Sequence, residues 1–147
     1  LAYLTNRQLD RLFQAVEAVP PTKLDWKASP TSRSVLDQLQ EIATIHQGIA
    51  EAVRNRKLVF TEEMFAKWMA ERQQLTDLGE LEAMTRQGTK ALVDFALTID
   101  EGELKDNVEM PWPGDFTVAD LLTYHYWNMS YHEGQITFIA NLLAEQA

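Results

Sequence analysis

The sequence predicts an all-α fold, a four-helix bundle with one short extra helix. Four long segments carry apolar residues at the i, i+3, i+4 and i+7 spacing of an amphipathic helix. The alternation of apolar and polar residues that marks a half-buried strand is almost absent. The 147 residues are 46% hydrophobic and 24% charged, a globular composition in a chain long enough to bury a core. Residues 1–147 are therefore predicted to form a single domain.

The first two long helices have clear start and stop signals. The first is predicted over residues 3–19 and ends at Pro20-Pro21, because proline cannot continue a helix. The second is predicted over residues 34–56. It begins at Ser34-Val35-Leu36-Asp37, where a serine and an acidic residue three positions later form a capping box.

The remainder of the chain is predicted to contain one short and two long helices. The short helix is placed at 61–72, in the connection between the second and third long helices. The third long helix is predicted over 76–98. The fourth begins at the capping box Thr117-Val118-Ala119-Asp120 and runs to about residue 143.

Composition argues against several classes of function. Thirteen Lys and Arg residues against 22 Asp and Glu residues give a net charge of −9, which predicts no nucleic-acid partner because phosphate backbones would be repelled. No apolar run approaches the roughly 20 residues that span a bilayer, so no membrane partner is expected. The absence of cysteine predicts a cytoplasmic location and leaves His, Asp, Glu and Asn as metal ligands.

Polar side chains interrupt the apolar face of the fourth long helix. At 100° per residue, His125 lies at the centre of that face, with His132 about 20° and Asn128 about 60° away. A histidine on such a face is ordinarily a core side chain that is hydrogen-bonded to a neighbour. Because residues four apart share a helix face, Asn128 and His132 are also placed to share a metal ion, with a third ligand from another helix.

The second long helix offers two candidates for that third ligand. His46 lies about 20° from Leu39 on the apolar stripe, whereas Glu41 lies about 160° from Leu39 and is expected to face solvent. Periodicity therefore favours His46. The two positions are about 140° apart on the helix, so we treat them as mutually exclusive alternatives.

Three aromatic residues, Tyr124, Trp127 and Tyr131, lie on the other side of the fourth long helix. Apolar surface on both sides of a helix predicts that it packs between two neighbours. One alternative is packing within the chain, and the other is the interface of a homodimer.

Two sequence motifs resemble the DinB/YfiT-like family. The stretch His132-Glu133-Gly134-Gln135-Ile136 resembles the His-x-Gly-Gln-Ile signature of that family. Upstream, Trp26 followed by the segment Arg33–Leu39 resembles the start of the family's second helix. The resemblance covers essentially the whole chain, and it implies a four-helix bundle that is often dimeric.

The resemblance also implies a metal and a chemistry. Many members of the family hold a divalent metal such as nickel or zinc with three histidines, one from the second helix and two from a His-x-x-x-His pair in the last helix. Some are transferases or isomerases that use a low-molecular-weight thiol such as bacillithiol or mycothiol. In this sequence His132 matches the second histidine of the pair, Asn128 stands at the first, and Glu41 stands at the second-helix position.

The family register therefore favours Glu41, whereas periodicity favours His46. A set of Glu41, Asn128 and His132 offers one nitrogen and several oxygens, which suits a harder or more weakly bound ion than three histidines do. Alternatively, Glu41 accepts a hydrogen bond from His132 and the pair forms a metal-free polar lock between two helices.

Two functions follow from these expectations. The first is a metal- and thiol-dependent transferase acting on a small molecule, with no catalytic residue assigned. The alternative is a non-catalytic dimeric helical bundle, a stress-associated binding protein with no bound metal.

Overall fold

The all-α prediction is confirmed by the structure, a computed structural model that describes residues 1–147. The five helices are α1 (Ala2–Glu17), α2 (Val35–Asn55), α3 (Glu62–Arg72), α4 (Leu78–Ala96) and α5 (Val118–Glu145). Short 3₁₀ turns lie at Pro21–Lys23 and Glu101–Lys105. The strands β1 (Asn107–Val108) and β2 (Phe116–Thr117) pair antiparallel just before α5. No helix combines the length and the apolar content needed to cross a bilayer.

The predicted capping residues begin the helices. The Ser34 side chain accepts a hydrogen bond from the backbone N–H of Asp37, which starts α2. At the start of α5, Thr117 and Asp120 form a reciprocal capping box. Each cap satisfies backbone N–H groups that a helix start otherwise leaves unpaired.

Helices α2 and α5 lie at the centre of the packing. Helix α5 packs against α1 and α2, and α2 also packs against α4. A helix with two neighbours is buried over a wide arc, so side chains far from its main apolar stripe also reach the interior. Helix α3 packs mainly against α2, and among its residues only Arg72 is buried.

The core consists of two apolar clusters arranged along the bundle. One contains Leu12, Leu39 and Met129, and the other contains Val53 and Leu92. On each of α2, α4 and α5, the residues of the two clusters are separated by a stretch that carries polar side chains, and these include His46, Thr89 and His125. Of the polar residues singled out from the sequence, His46, His125 and Asn128 therefore lie between the two clusters, whereas Glu41 and His132 lie within the stretch of the first cluster.

Candidate functional site: a polar centre and an aromatic groove

Three of the predicted site residues meet between α2 and α5. The Asn128 amide donates a hydrogen bond to Glu41 Oε1 over 2.9 Å, and His132 Nε2 lies 3.2 Å from the same oxygen. Asn128 and His132 are 2% and 1% exposed. We call Glu41, Asn128 and His132, with the Gln38 and Arg33 side chains bonded to them, the Glu41 centre.

His132 is held at both ring nitrogens. Its Nδ1 lies 2.8 Å from Gln38 Oε1 and 3.2 Å from Gln135 Oε1. Amide oxygens only accept hydrogen bonds, so Nδ1 donates. An ionised carboxylate also only accepts, so Nε2 donates to Glu41. Both ring nitrogens of His132 therefore lie against oxygen acceptors of the chain, Gln38 and Gln135 at Nδ1 and Glu41 at Nε2.

Two arginines approach Glu41 from the other side. Arg33 Nη1 donates to Glu41 Oε2 over 2.6 Å, and Arg72 Nη1 lies 3.8 Å from that oxygen. Arg72 also donates to Asp37 over 2.7 Å. Although burial raises the pKa of Glu41, the hydrogen bonds from His132 and Asn128 and the charge of Arg33 outweigh it and lower the pKa to about 2. Glu41 is therefore ionised at any ordinary pH.

These donors do not suit the nickel or zinc centre that the family resemblance implies. The centre offers one imidazole, and both oxygens of Glu41 already accept hydrogen bonds, from His132 and Asn128 on one side and from Arg33 on the other. A divalent cation would add its charge beside two guanidinium groups. Asn128 Oδ1 is buried without a partner, but an amide oxygen is a weak ligand for transition metals. The metal site of His132, Asn128 and Glu41 stays a prediction, and the contacts that the structure shows are the hydrogen bonds of these side chains and Arg33 to Glu41.

His46 lies away from the Glu41 centre. It lines a cleft between α2 and α4, where a Cβ added at Gly88 would lie 2.2 Å from the imidazole. Periodicity favoured His46 as the inward ligand, but the residue is half-buried in this cleft and away from Glu41, because α2 packs against α4 on one side and α5 on the other. Glu41, expected in solvent, has a side chain only 15% exposed because it faces α5.

His125 has the role of a core histidine that the sequence predicts. Its Nε2 lies 2.8 Å from the Thr89 hydroxyl on α4, and the residue is 1% exposed. Burial lowers the pKa of His125 to about 4, and a charge on His46 acts in the same direction. His125 is therefore neutral at pH 7 and takes no part in the Glu41 centre.

Sequence reasoning missed a second feature, an apolar groove beside the Glu41 centre. The groove has a volume of about 590 Å³ and lies between α2, α3, the loop before α5 and the first turns of α5. Of its 19 lining residues 12 are hydrophobic, and its aromatic members are Phe60, Trp68, Trp112, Phe116 and Tyr124. We call it the aromatic groove. Its lining residues come from segments far apart in the chain, so no local sequence pattern predicts the groove.

Contacts on α3 connect the aromatic groove to the Glu41 centre. Trp68 Nε1 donates to the Thr44 hydroxyl over 2.9 Å, and the Arg72 guanidinium lies 4.5 Å from the centroid of the Trp68 ring. On the α5 side, burial raises the pKa of the Tyr124 phenol, and the nearby charge of Glu41 adds to that shift. The ion pairs of the centre therefore hold one wall of the groove in place.

The aromatic residues on the other side of α5 form a stack. Trp127 and Tyr131 have ring centroids 5.5 Å apart and planes inclined by 17°. They are 54% and 52% exposed, so packing within the chain does not cover them. The homodimer interface stays a prediction.

Comparisons with known proteins agree with this architecture. The sequence model of the DinB family matches residues 2–144. No curated protein matches the chain. A DinB-like protein from Bacillus subtilis, YjoA, has a similar structure with a TM-score of 0.64 and 15% identity, over 93% of this chain and 86% of that one. The colibactin self-resistance protein ClbS, solved in complex with dsDNA, has a TM-score of 0.66 and 15% identity, over 95% of this chain and 92% of that one.

The complex of ClbS with dsDNA corrects one prediction. The exclusion of nucleic acid as a partner, which followed from the net charge of −9, is wrong, because a protein of this fold is seen bound to dsDNA. Net charge sums the whole surface, whereas contacts to phosphates depend on where individual basic side chains lie. An acidic total therefore does not exclude such a partner.

Proposed function

The chain belongs to the DinB family, and we propose that it binds a small, largely apolar molecule in the aromatic groove beside the Glu41 centre. The observation that carries the proposal is the groove itself. Its volume of about 590 Å³ falls in the range of small-molecule sites, and such sites are typically lined by apolar and aromatic side chains with a few polar groups.

The lining supplies both the apolar contact area and the polar groups that orient a ligand. The aromatic rings form the walls of the groove, and its uncharged polar side chains are the Thr44 hydroxyl and the Gln47 amide. Phe60 and Trp68 pack edge to face with centroids 6.1 Å apart, which keeps the α3 wall rigid. A preformed site loses less conformational entropy when a ligand binds.

The Glu41 centre has a positioning role in this proposal. Arg72 is the one buried residue of α3, and its bonds to Asp37 and its approach to Glu41 fix the helix that carries Trp68 and Met64 into the groove. Loss of these ion pairs is expected to loosen α3 and so to weaken binding in the groove, although none of the ion-paired side chains would contact the ligand.

A pair of glycine substitutions tests the proposal. Gly48 lines the aromatic groove on α2, and a Cβ built there meets nothing within 4 Å. Gly48→Leu is therefore expected to fill the groove without a clash and to raise helix propensity. Gly134 on α5 has the same open surroundings but does not line the groove, so Gly134→Leu is the matched control.

The measurement is the binding of a neutral apolar fluorophore such as Nile red. We expect saturable binding to the unmodified chain and to Gly134→Leu, and at least about tenfold weaker binding to Gly48→Leu because the side chain occupies the site. Equal binding to all three proteins, or no saturable binding to any of them, would overturn the proposal.

The metal- and thiol-dependent transferase implied by the family resemblance has less support. Its metal would have to displace the hydrogen bonds that His132, Asn128 and Arg33 make to Glu41. Metal analysis of protein purified without an affinity tag and then incubated with nickel or zinc separates the alternatives. Near-stoichiometric metal that is lost in His132→Ala would favour the transferase over a metal-free centre.

A further inference from the structure

The charged groups of the aromatic groove are predominantly acidic. Three carboxylates, those of Glu51, Glu71 and Asp120, line it together with a single ammonium group, that of Lys67. Lys67 lies 3.7 Å from Glu71, so it offsets that carboxylate, while Glu51 and Asp120 have no basic partner within 4 Å. The lining therefore carries a surplus of negative charge beside apolar walls.

Asp120 is fixed as an anion. Hydrogen bonds from the Thr117 hydroxyl and backbone N–H lower the pKa of Asp120, and the same bonds hold the carboxylate at the start of α5. A carboxylate whose hydrogen bonds come from its own helix cap still presents its charge to a neighbouring ligand.

The aromatic rings favour the same sign of charge. Five rings line the groove, and the face of an aromatic ring carries partial negative charge that attracts a cation within about 6 Å of its centroid. The chain already uses this interaction at the edge of the site, where the Arg72 guanidinium lies 4.5 Å from the Trp68 centroid.

We propose that the ligand of the aromatic groove is a small organic cation with an apolar body, such as a quaternary ammonium compound or a protonated aromatic amine. The inference rests on the proposed function and adds the charge of its ligand. Aromatic walls remove the apolar body from water, and the unpaired carboxylates of Glu51 and Asp120 favour a positive charge at the rim. An anion of the same size meets the same walls but is repelled by the rim.

Three probes of similar size separate charge from apolar contact. They are phenyltrimethylammonium, its neutral isostere tert-butylbenzene, and benzenesulfonate, each measured by displacement of the neutral fluorophore. At low salt we expect the cation to bind about fivefold to tenfold more tightly than the neutral isostere, and the anion more weakly than both. The preference should shrink at high ionic strength, because the rim carboxylates are exposed to screening.

A pair of double variants identifies the source of the preference. Glu51→Gln with Glu71→Gln is expected to reduce the preference for the cation by at least about twofold while the neutral isostere binds as before. Glu101→Gln with Glu145→Gln makes the same change in total charge away from the groove and should leave the preference unchanged. Asp120 is not substituted because it caps α5.

The possible failures are distinguishable. If the neutral isostere displaces the fluorophore as well as the cation does, the inference about charge is overturned and the proposed binding function stands. If no probe displaces a bound fluorophore and Gly48→Leu binds it normally, the groove is not the site and both proposals are overturned.

Discussion

Replacing Glu41 by glutamine removes the charge of the Glu41 centre while keeping its shape. In the native chain the carboxylate accepts hydrogen bonds from Asn128, His132 and Arg33. Glu41→Gln leaves the positive charges of Arg33 and Arg72 with only Asp37 to oppose them. Buried or half-buried cations without a partner are costly, so we expect the variant to be less stable.

The size of the effect follows from the pKa of Glu41. Folding lowers that pKa to about 2, roughly 2 units below the ordinary value of a glutamate, and each unit corresponds to 1.36 kcal/mol. The charged form therefore contributes about 3 kcal/mol to the free energy of unfolding at pH 7. For a domain of this size such a loss lowers the melting temperature by about 6–12 °C.

The same shift predicts how stability depends on pH. Because the folded pKa lies below the unfolded one, the contribution of Glu41 is fully present above about pH 4.5 and is lost as the pH falls towards 2. The difference between the unmodified chain and Glu41→Gln should therefore be largest near neutrality and shrink in acid.

Urea unfolding followed by circular dichroism measures this difference. Glu17→Gln is the matched control, since Glu17 is exposed and makes no side-chain hydrogen bond or ion pair. We expect the control to change the free energy of unfolding by less than about 0.5 kcal/mol. If Glu41→Gln is as stable as the control, the Glu41 centre does not stabilise the fold and the reasoning is refuted.

Further predictions concern the contacts of α4 with the two other histidines. Gly88→Ala should lower the free energy of unfolding by about 1–3 kcal/mol, because the new Cβ clashes with His46. In a His46→Ala background the same substitution should raise the free energy of unfolding, because alanine favours the helix more than glycine does. Urea unfolding of the unmodified chain, the two single variants and the double variant checks this. Thr89→Val should lower the free energy of unfolding by about 1–3 kcal/mol, because it leaves His125 Nε2 buried without its partner. A variant as stable as the unmodified chain would contradict this. Because burial lowers the pKa of His125 from 6.5 to about 4, stability of the unmodified chain should fall by about 3 kcal/mol between pH 6.5 and pH 4, measured by urea titrations across that range.

The fold could be predicted from the sequence because its signals are local. Apolar periodicity and the caps at Ser34 and Thr117 place the helices close to their observed bounds. The site was harder to predict from the sequence, because it depends on which helices pack against one another. One apolar stripe on α2 cannot show that Glu41 meets α5 while His46 meets α4. The family register identified Glu41, and periodicity did not.

Some of the functional side chains carried no usable signal. Arg33 precedes the N-cap of α2 and is eight residues from Glu41, so helical spacing does not predict the ion pair between them. Arg72 reaches the carboxylate of Asp37 from α3, a contact across 35 residues that no local pattern encodes. The aromatic groove likewise depends on segments that meet only in the folded chain.

The most direct test of the central claim uses the four tryptophans as reporters. Trp68 and Trp112 line the aromatic groove, whereas Trp26 and Trp127 do not. In a chain labelled with 5-fluorotryptophan, ¹⁹F NMR should give four resonances, each assigned by a Trp→Phe variant. Titration with an apolar ligand is predicted to shift the resonances of Trp68 and Trp112 and leave the other two in place. Shifts confined to Trp26 or Trp127 would contradict the proposal that this chain binds its ligand in the aromatic groove.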